Sequence, residues 1–452
     1  MNAIRSGLQQ IRRYPSALVG LVIIAALILL AIVAVIILPY DEAIRLWRGG
    51  EDVWQESPRY AQPAWLNLFS TKKLPETIVI STLPPSPSPL HARVVRGQAT
   101  KARSDKTVTI SLVFEYPYDE FPSELTLFLE AKYAELLPYA MLRWRTPDGR
   151  EISLGDRKLT ASDRYSISQD TRLERRLGNR PPEVGLFAAP SGQAPLKGRY
   201  ELQITGTLFE ENSNIDAKLV VYGKVYGLAG TDHKRRDLLI ALLWGAPVAL
   251  AFGFIVAVGT SLTTLIIAAI GAWYGRWVDA LIQRITEVNI ILPALPILII
   301  IGTFYSRSIW VMMIAITLLS IFTAGIKVYR AIFLQIKESP YIEAARAYGA
   351  SNLRIIVRYM APRIIPILVP GFVTLIPSLV FLEASLGLLG LGDPVLPTWG
   401  KILNDAQNNG ALYKGYYYWV LSPSILLMFT ALGFSLLGFA LDRIFNPRLR
   451  EL

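Results

Sequence analysis

The chain has 452 residues, of which 52% are hydrophobic and 18% charged, and its mean hydropathy is +0.37. This composition is too apolar for a soluble protein of that size and is typical of a membrane protein with one polar domain. Cysteine is absent and histidine occurs only as His91 and His233, which excludes disulfides and disfavours a histidine-based metal or catalytic site.

The net charge of +11 is unevenly distributed. Residues 40–230 hold 25 Lys and Arg against 24 Asp and Glu, whereas the rest of the chain holds 21 against 11. The basic excess therefore lies beside the apolar runs, where it specifies membrane topology. Nucleic-acid binding is a poor explanation of this charge.

The first apolar run, Ser16–Leu38, contains no charge and is long enough to cross about 30 Å of hydrocarbon. It exceeds the 7 to 15 residues typical of a signal-peptide core, and it ends in Ile-Ile-Leu-Pro rather than at a small-residue cleavage site. We therefore predict an uncleaved membrane anchor over residues 1–39.

Residues 40–230 predict a separate, extracytoplasmic, β-rich domain. A proline-rich connector at 81–89 is followed by runs in which apolar residues alternate with polar ones. Pro147-Asp148-Gly149 predicts a turn between Met141–Arg145 and Glu151–Leu154. Short alternating strands joined by turns favour a small β-sandwich. The residues expected to share strand faces are Val108, Ile110, Leu112 and Phe114; Leu125, Leu127 and Leu129; Tyr200, Leu202, Ile204 and Leu208; and Leu219, Val221 and Val225.

Five further apolar runs bring the predicted number of transmembrane helices to six. They lie near Pro247–Ala272, Ile285–Phe304, Ile309–Tyr329, Ile364–Leu389 and Trp419–Leu441. Pro293 and Pro296 interrupt the second of these five. Proline in a membrane helix kinks the axis, so these two are either ordinary helix prolines or a bent lining of a translocation path.

Basic residues favour cytoplasmic N- and C-termini. That orientation puts 15 basic residues in cytoplasmic segments and eight near the opposite ends of the spans. The triplet Lys234-Arg235-Arg236 is the main objection, because it would lie just outside the second span. An even number of spans then places the loop at about 331–363 in the cytoplasm.

Within that loop, Glu343-Ala344-Ala345-Arg346-Ala347-Tyr348-Gly349 predicts a short helix with a small-residue face. Pro340 flanks it, and Gly349 can release the chain into a turn that a Cβ would hinder. It is either an amphipathic helix lying on the membrane or a rigid lever that inserts into a groove on a partner. In the second case the docking residues are Glu343, Ala344, Ala345, Arg346 and Gly349.

Glu383 stands near the end of an apolar span, where an acid is costly unless it faces protein or water. It either caps a re-entrant turn by local hydrogen bonds or lines the outer gate of a translocation path. No Gly-x4-Gly-Lys-Ser/Thr phosphate loop and no His-Glu-x-x-His zinc motif occurs, so we expect neither nucleotide, metal nor catalytic chemistry in this chain.

From Gly230 to Leu452 the sequence resembles the oligopeptide/dipeptide branch of ABC importer permeases, and the loop around Glu343 resembles their EAA loop. The run from Arg13 to Tyr40 also fits the first span of that branch. The segments that carry the resemblance are Gly230-Thr231-Asp232 with Arg236-Asp237 and Gly245; Asp279 to Glu287 with Leu292 to Pro296; Glu383 to Gly392 with Pro397-Thr398-Trp399-Gly400; and Asp442-Arg443 with Asn446-Pro447-Arg448.

The resemblance implies a permease core at 231–452, mainly α-helical and with the type I importer fold, in which the EAA loop docks on an ATPase. It implies a homologous permease partner, two ATPase subunits that carry ATP and Mg, and an extracytoplasmic solute-binding protein. Glu287, Pro293, Pro296 and Glu383 become candidates for the path or gate. Arg235 departs from the family pattern because it replaces a usual glycine, and residues 40–230 have no counterpart in the family's short first loop.

Two other functions compete with this interpretation. A proton-driven secondary transporter should contain inverted repeats and buried acids or histidines in its spans, and neither is evident here. A membrane-anchored sensor or binding ectodomain would act through residues 40–230, but a simple anchor would not need five further spans.

Overall fold

The computed structural model describes residues 14–50, 53–84, 94–104, 106–189 and 192–445. The chain folds into two units. One comprises Met1–Trp47, Ile240–Leu412 and Val420–Leu452 and is helical; the other comprises Arg48–Leu239 and Tyr413–Trp419 and is built mainly of strands. The connector predicted at 81–89 falls largely outside the described residues, as do the basic residues before position 14 and the closing motif at 446–448.

In the strand-built unit, the described residues form two five-stranded sheets. One has the order β2-β1-β10-β5-β8 and the other β3-β4-β9-β6-β7, and every pairing is antiparallel except that of β1 with β2. The strands are β1 (Ile78–Ser81), β2 (Val95–Arg96), β3 (Gln98–Ser104), β4 (Thr107–Tyr116), β5 (Glu124–Lys132), β6 (Tyr139–Arg145), β7 (Glu151–Lys158), β8 (Ser162–Ser166), β9 (Gly198–Thr207) and β10 (Asn214–Tyr222).

The core of this unit lies where the predicted strand faces meet. Ile110 pairs with Ile204 in one sheet and Leu127 with Leu219 in the other, and all four belong to one buried cluster. Alternate residues point to opposite faces of a strand, which is why the two-residue apolar period marks these faces. The predicted β-rich region is therefore confirmed. Val225 differs from the prediction, because β10 ends before it and Val225 forms isolated bridges instead.

The turn predicted at 147–149 joins β6 and β7 in a hairpin. The Thr146 N–H donates to the Arg150 carbonyl at 3.0 Å, and Asp148 accepts from Thr146 Oγ1 and from Arg150 Nε. Two helices follow this hairpin in the same unit, α3 (Thr171–Arg176) and α4 (Pro182–Gly185). Helix α2 (Tyr40–Arg48) precedes the strands in sequence, and all of it except Arg48 belongs to the helical unit.

Arg235 is an internal tie of the strand-built unit. Its backbone is left-handed, with φ 66°. Glycine adopts this conformation most easily, so an arginine at this position is strained. The side chain is only 1% exposed; Nη1 donates to the Ser57 carbonyl at 2.9 Å, Nη2 to the Glu124 carboxylate, and the guanidinium lies 4.1 Å from the Tyr222 ring centroid. These contacts compensate for the strained backbone.

Arg235→Ala is expected to destabilise the strand-built unit by about 3 kcal/mol, because it leaves the partly buried Glu124 carboxylate without its cation. Thermal unfolding of the detergent-solubilised chain, followed by near-ultraviolet circular dichroism, would measure this loss. The matched control is Arg145→Ala, which removes an exposed ion pair with Glu151 and should leave the melting temperature unchanged. Equal melting temperatures for both variants would contradict a structural role for Arg235.

Four helices of the described chain have the length and apolar character needed to cross a membrane, and the number rises to six if each of two bent pairs is one span. The four are α1 (Pro15–Ile37), α5 (Leu238–Tyr274), a continuous helical stretch over Asn352–Leu391, and α14 (Tyr417–Phe445). The bent pairs are α6 (Arg276–Ile291) with α7 (Ala294–Phe304), and α8 (Ile309–Ile321) with α9 (Ala324–Lys337). The stretch over Asn352–Leu391 contains α11 (Asn352–Arg354), a π-helical segment (Ile355–Met360), α12 (Ala361–Leu386) and a second π-helical segment (Gly387–Leu391).

The run expected as one helix over Ile285–Phe304 is broken. Leu292 is extended, with φ −66° and ψ 130°, and α6 and α7 meet at 78°. Proline disfavours helical geometry in the residue before it, so Pro293 ends α6 at this point. The second pair bends less, by 49°, between Ile321 and Ala324.

Small residues allow α1 and α14 to approach closely. A Cβ on Gly20 would lie 2.7 Å from the Gly433 carbonyl oxygen, and one on Gly433 would lie 2.9 Å from Ile23. Such contacts are typical of membrane helices, whose association depends on close packing rather than on hydrophobic burial.

Candidate functional site

The predicted docking loop contains a short helix, α10 (Pro340–Ala347). Pro340 occupies its first turn, where the missing N–H costs nothing. At the other end, Gly349 has φ 77°, and its N–H donates to the Arg346 carbonyl at 2.9 Å. The Ala350 N–H donates to the Ala345 carbonyl at 3.0 Å, so α10 ends in a left-handed cap that satisfies its last carbonyls.

The two faces of α10 differ. Ile342 and Ala345 are buried against the rest of the helical unit, whereas Glu343, Ala344 and Arg346 are exposed. Beyond the helix, Tyr348 is 92% exposed. Of the predicted docking residues, Ala345 thus anchors the helix, and the others lie on or beside its exposed side.

An apolar cluster beneath α10 holds its inner face. Ile342 and Ala345 belong to one buried cluster with side chains of α5, α9 and α12 and of the π-helical segment Ile355–Met360. The other buried members of this cluster are Leu265, Ala268, Ala269, Ala272, Trp273, Ile326, Phe333, Ile355, Met360 and Ile364. Because interiors of this kind are close-packed, a displacement of α10 strains these elements as well.

Two cations fix the end of α5 next to α10. Lys337 Nζ donates to the carbonyls of Ala272 and Trp273, both at 2.9 Å, and thereby caps the carbonyl end of α5. The Arg346 guanidinium carbon lies 4.4 Å from the centroid of the Trp273 ring, within the range of a cation–π contact. Trp273 is therefore engaged both by α10 and by the end of α9.

An ion pair ties α6 to α9. Arg330 donates through Nε to Asp279 Oδ1 at 2.6 Å and through Nη2 to Oδ2, so the pairing is bidentate. Asp279 packs closely against α5, since a Cβ on Gly271 would lie 3.3 Å from Asp279 Oδ1. The pair thus fixes the beginning of α6 against two neighbouring helices.

The structure places three of the predicted path residues, Glu287, Pro293 and Pro296, near the break between α6 and α7. Glu287 is exposed, and its Oε2 lies 3.1 Å from Nη1 of Arg284, one turn earlier in α6. Pro293 immediately precedes α7 and Pro296 lies in its first turn, and both residues are exposed. The break is fixed by Asn289, whose Nδ2 donates to the carbonyls of Leu319 and Phe322, both at 2.8 Å.

Glu383 is 7% exposed and faces the start of α13 (Trp399–Asn408). The Thr398 hydroxyl forms a hydrogen bond with the Glu383 carboxylate, and Thr398 Oγ1 also accepts from the Lys401 N–H at 3.3 Å. One hydroxyl thus caps α13 and satisfies the buried acid. This hydrogen bond joins the end of α12 to the start of α13.

Glycines bring α13 into backbone contact with the end of α12. A Cβ on Gly400 would lie 2.6 Å from the Ala384 carbonyl oxygen, and one on Gly387 would lie 2.8 Å from the Gly400 Cα. Trp399 Nε1 donates to the Leu242 carbonyl at 3.0 Å, and a Cβ on Gly245 would lie 2.2 Å from the Trp399 ring. The motif around Pro397 thus encodes the packing of α13 against α5 and α12.

Two family models match this chain. The model described as binding-protein-dependent transport system inner membrane component matches residues 261–451, and the one described as the N-terminal TM domain of oligopeptide transport permease C matches residues 4–58. The chain is 32% identical over 227 residues to the dipeptide transport system permease protein DppC of Alkalihalophilus pseudofirmus, a match that covers 49% of this chain and 72% of the relative. The chain belongs to the ABC importer permease family.

Other relatives agree with this family. A putative peptide transport system permease protein of Brucella suis is 33% identical over 225 residues, covering 49% of this permease and 74% of the relative. A glutathione transport system permease protein of Escherichia coli is 31% identical over 223 residues, with coverage of 49% and 72%. The residues between the two model matches, 59–260, include the sheets of the strand-built unit.

Sequence reasoning missed the contacts that hold α10 in this permease. Lys337 and Arg330 were counted only among the basic residues that predict the membrane orientation. In the structure, Lys337 contacts the end of α5 and Arg330 contacts α6. One usable signal was Trp273 at the end of an apolar run, with Lys337 three residues before Pro340. The Asp279–Arg330 pair gave no local signal, because 51 positions separate its members.

Arg346→Ala is expected to loosen α10 without unfolding the permease, because it removes the contact with Trp273, worth about 0.5 to 1 kcal/mol at an exposed site. Hydrogen exchange of the amides in Pro340–Ala347 should quicken several-fold. Arg354→Ala is the matched control, since Arg354 is an exposed arginine on the next short helix. Unchanged exchange in Arg346→Ala, or equal changes in both variants, would contradict an anchoring role for Arg346.

Proposed function

We propose that this permease forms half of an ATP-driven import pathway and that α10 is the coupling helix that docks on a cytoplasmic ATPase subunit. The observation that carries the proposal is the two-sided geometry of α10. Its inner face packs into the buried cluster that contains Ile342 and Trp273. Its outer face exposes Glu343 and Ala344, and Arg346 at the edge of that face also contacts the Trp273 ring. A helix held in this way transmits force to the spans around it.

The assembly we propose contains three kinds of partner. A homologous permease supplies the other half of the pathway, and two ATP-binding subunits carry ATP and Mg²⁺, which have no P-loop to bind in this chain. An extracytoplasmic solute-binding protein delivers the solute. ATP then shifts the balance between outward and inward openings by binding one of the two states more tightly.

The orientation we propose has six spans, with both termini and α10 in the cytoplasm and residues 40–230 outside. In this arrangement each of the two bent pairs counts as one span. The basic bias of 15 residues against eight supports it. Residues 40–230 then form an extracytoplasmic insertion after the first span.

We propose short peptides or similar small solutes as the cargo. The relatives carry the names of dipeptide, peptide and glutathione permeases, and these solutes share a peptide backbone. Uptake of labelled dipeptides, tripeptides and glutathione into proteoliposomes that contain the complete transporter would rank them. A transporter that takes up none of these would overturn the cargo assignment but not the coupling role of α10.

For Glu383 we propose a gate role, in which its contact with Thr398 closes the outer end of the pathway. Pro293, Pro296 and Glu287 are further candidates for the path, at and before the break between α6 and α7. Glu383→Gln keeps the shape of the side chain and removes its charge. Unchanged transport and unchanged basal ATPase activity in reconstituted vesicles would discard the gate and leave only the local cap.

The decisive experiment is purification of the tagged permease from its native membranes in mild detergent, followed by mass spectrometry and an ATPase assay. We expect two ATPase subunits and a second permease to copurify with wild type. Glu343→Arg should release the ATPases and retain the second permease, because it reverses a charge on the outer face of α10. Retention of active ATPases by this variant would refute docking through α10.

A further inference from the structure

The strand-built unit contains a cleft of about 580 Å³ lined by three arginines. Arg150 directly precedes β7, Arg176 is the last residue of α3, and Arg180 follows that helix. The cleft has no part in the permease mechanism proposed above. Its volume is within the range of about 300 to 1,000 Å³ that small-molecule sites occupy.

Backbone carbonyls hold the arginines in place. Arg176 Nη1 donates to the Ser153 carbonyl at 2.9 Å, and Arg150 Nη2 donates to the Ala188 carbonyl at 2.7 Å. Arg180 Nη1 makes a longer contact of 3.5 Å with the Ala189 carbonyl. A guanidinium has five N–H donors, so these contacts orient each group without exhausting it.

A tight turn separates Arg176 from Arg180, which both line the cleft. Asp170 caps the start of α3 by accepting from the N–H groups of Arg172 and Leu173. After the helix, Gly178 and Asn179 take φ values of 75° and 58°, and the Asn179 N–H donates to the Glu174 carbonyl. Two successive left-handed residues reverse the chain, a geometry available to glycine and asparagine but costly for most others.

The charges in and around the cleft favour an anion. Among the described residues, its lining contains one carboxylate, Glu151, and that group forms an ion pair with Arg145 on β6. Asp148 pairs with Arg150 through Nε at 2.7 Å. Asp170, which interacts electrostatically with Arg176, already accepts from Tyr165 Oη and from the start of α3. These three acids are thus engaged, and the described lining has three arginines against one carboxylate.

We propose that this cleft binds a small ligand bearing a phosphate or carboxylate group, held by Arg150, Arg176 and Arg180. The planar fork of a guanidinium matches two oxygens of either group at once, which a lysine does not achieve. The cleft is a binding site separate from the coupling helix, and its occupancy requires neither ATP nor transport.

Isothermal titration of the full-length permease in detergent, without Mg²⁺ and at constant ionic strength, would test the site with sodium pyrophosphate and with sodium citrate. We expect saturable binding of at least one probe. Arg176→Gln combined with Arg180→Gln should weaken it by about tenfold or more. The control combines Arg172→Gln with Arg175→Gln, which removes the same charge from exposed positions of α3 outside the lining and should change the affinity by less than about twofold.

The two probes distinguish the ligand chemistry. A preference for pyrophosphate identifies a phosphorylated ligand, and a preference for citrate identifies one rich in carboxylates; either supports the site. Absence of saturable binding of both, or equal weakening by the two double variants, would overturn it. Arg176→Lys with Arg180→Lys keeps the charge and guards against misfolding of the glutamine variant; it should still bind several-fold more weakly, and wild-type affinity would refute recognition by the guanidinium forks.

Discussion

Gly349→Val should strongly reduce ATP-driven uptake while leaving the permease inserted in the membrane. Gly349 has φ 77°, and a β-branched residue at such a φ is strained by more than the 1 to 2 kcal/mol typical of other L-residues. A Cβ there would meet nothing within 4 Å, so the cost comes from the backbone rather than from crowding. The cap of α10 would open, and uptake by proteoliposomes with ATPases and binding protein should fall by about tenfold or more.

Gly349→Asn is the matched control, because asparagine tolerates the left-handed conformation and adds a side chain of similar size. It should retain most of the uptake and most of the bound ATPase. If Gly349→Val transports like wild type, the left-handed cap is not required for coupling. If both variants fail equally, the exposed side chain rather than the backbone conformation is responsible.

Gly400→Val should prevent the permease from reaching its native helix packing. Its Cβ would lie 2.6 Å from the Ala384 carbonyl oxygen and 2.9 Å from the Ala384 Cα, both backbone atoms that cannot rotate away. We expect a loss of about 3 kcal/mol or more, since overpacking here requires a shift of α13 against α12. Fluorescence-detected size exclusion and thermal melting in detergent would measure the loss.

Gly371→Ala on α12, the long helix against which Gly400 packs, gives the contrast. A Cβ at Gly371 would meet nothing within 4 Å, and alanine favours a helix over glycine by about 1 kcal/mol. This variant should melt at or above the wild-type temperature. A Gly400→Val protein as stable as Gly371→Ala would mean that the contact between α12 and α13 contributes nothing to the fold.

Local signals in the sequence were enough to predict the ends of α10 and the faces of the strands. Pro340 and Gly349 act through their own backbone preferences, so their effects follow from identity and position alone. The period of two in Val108–Phe114 has the same character, because the pleat of a strand determines which residues share a face. For this reason the helix and the sheets agree with their predictions.

Features that depend on distant residues escaped prediction. The side chain of Arg235 contacts Ser57 and Glu124, more than 100 positions away in both cases. The sequence therefore showed that arginine replaces the usual glycine, but not the contacts that hold the arginine in place. A local cap was one of two alternatives for Glu383, and its contact with Thr398 was not predicted. The packing of the turn that carries Thr398 depends on Gly245 and Trp399, which lie in different predicted segments. Pro293 predicted an interruption of its span, but the sequence did not predict the angle of 78° between α6 and α7.

The π-helical segment Ile355–Met360 has a consequence for the evolution of chain length. Hydrogen bonds to the fifth residue accommodate one position more than an α-helical turn, and such turns occur mostly as bulges inside α-helices. The segment begins where α11 ends and stops where α12 begins, so the chain between α10 and α12 holds one position more than α-helical spacing requires. Deletion of one residue from this segment would restore α-helical spacing while the flanking helices keep their rotational phase.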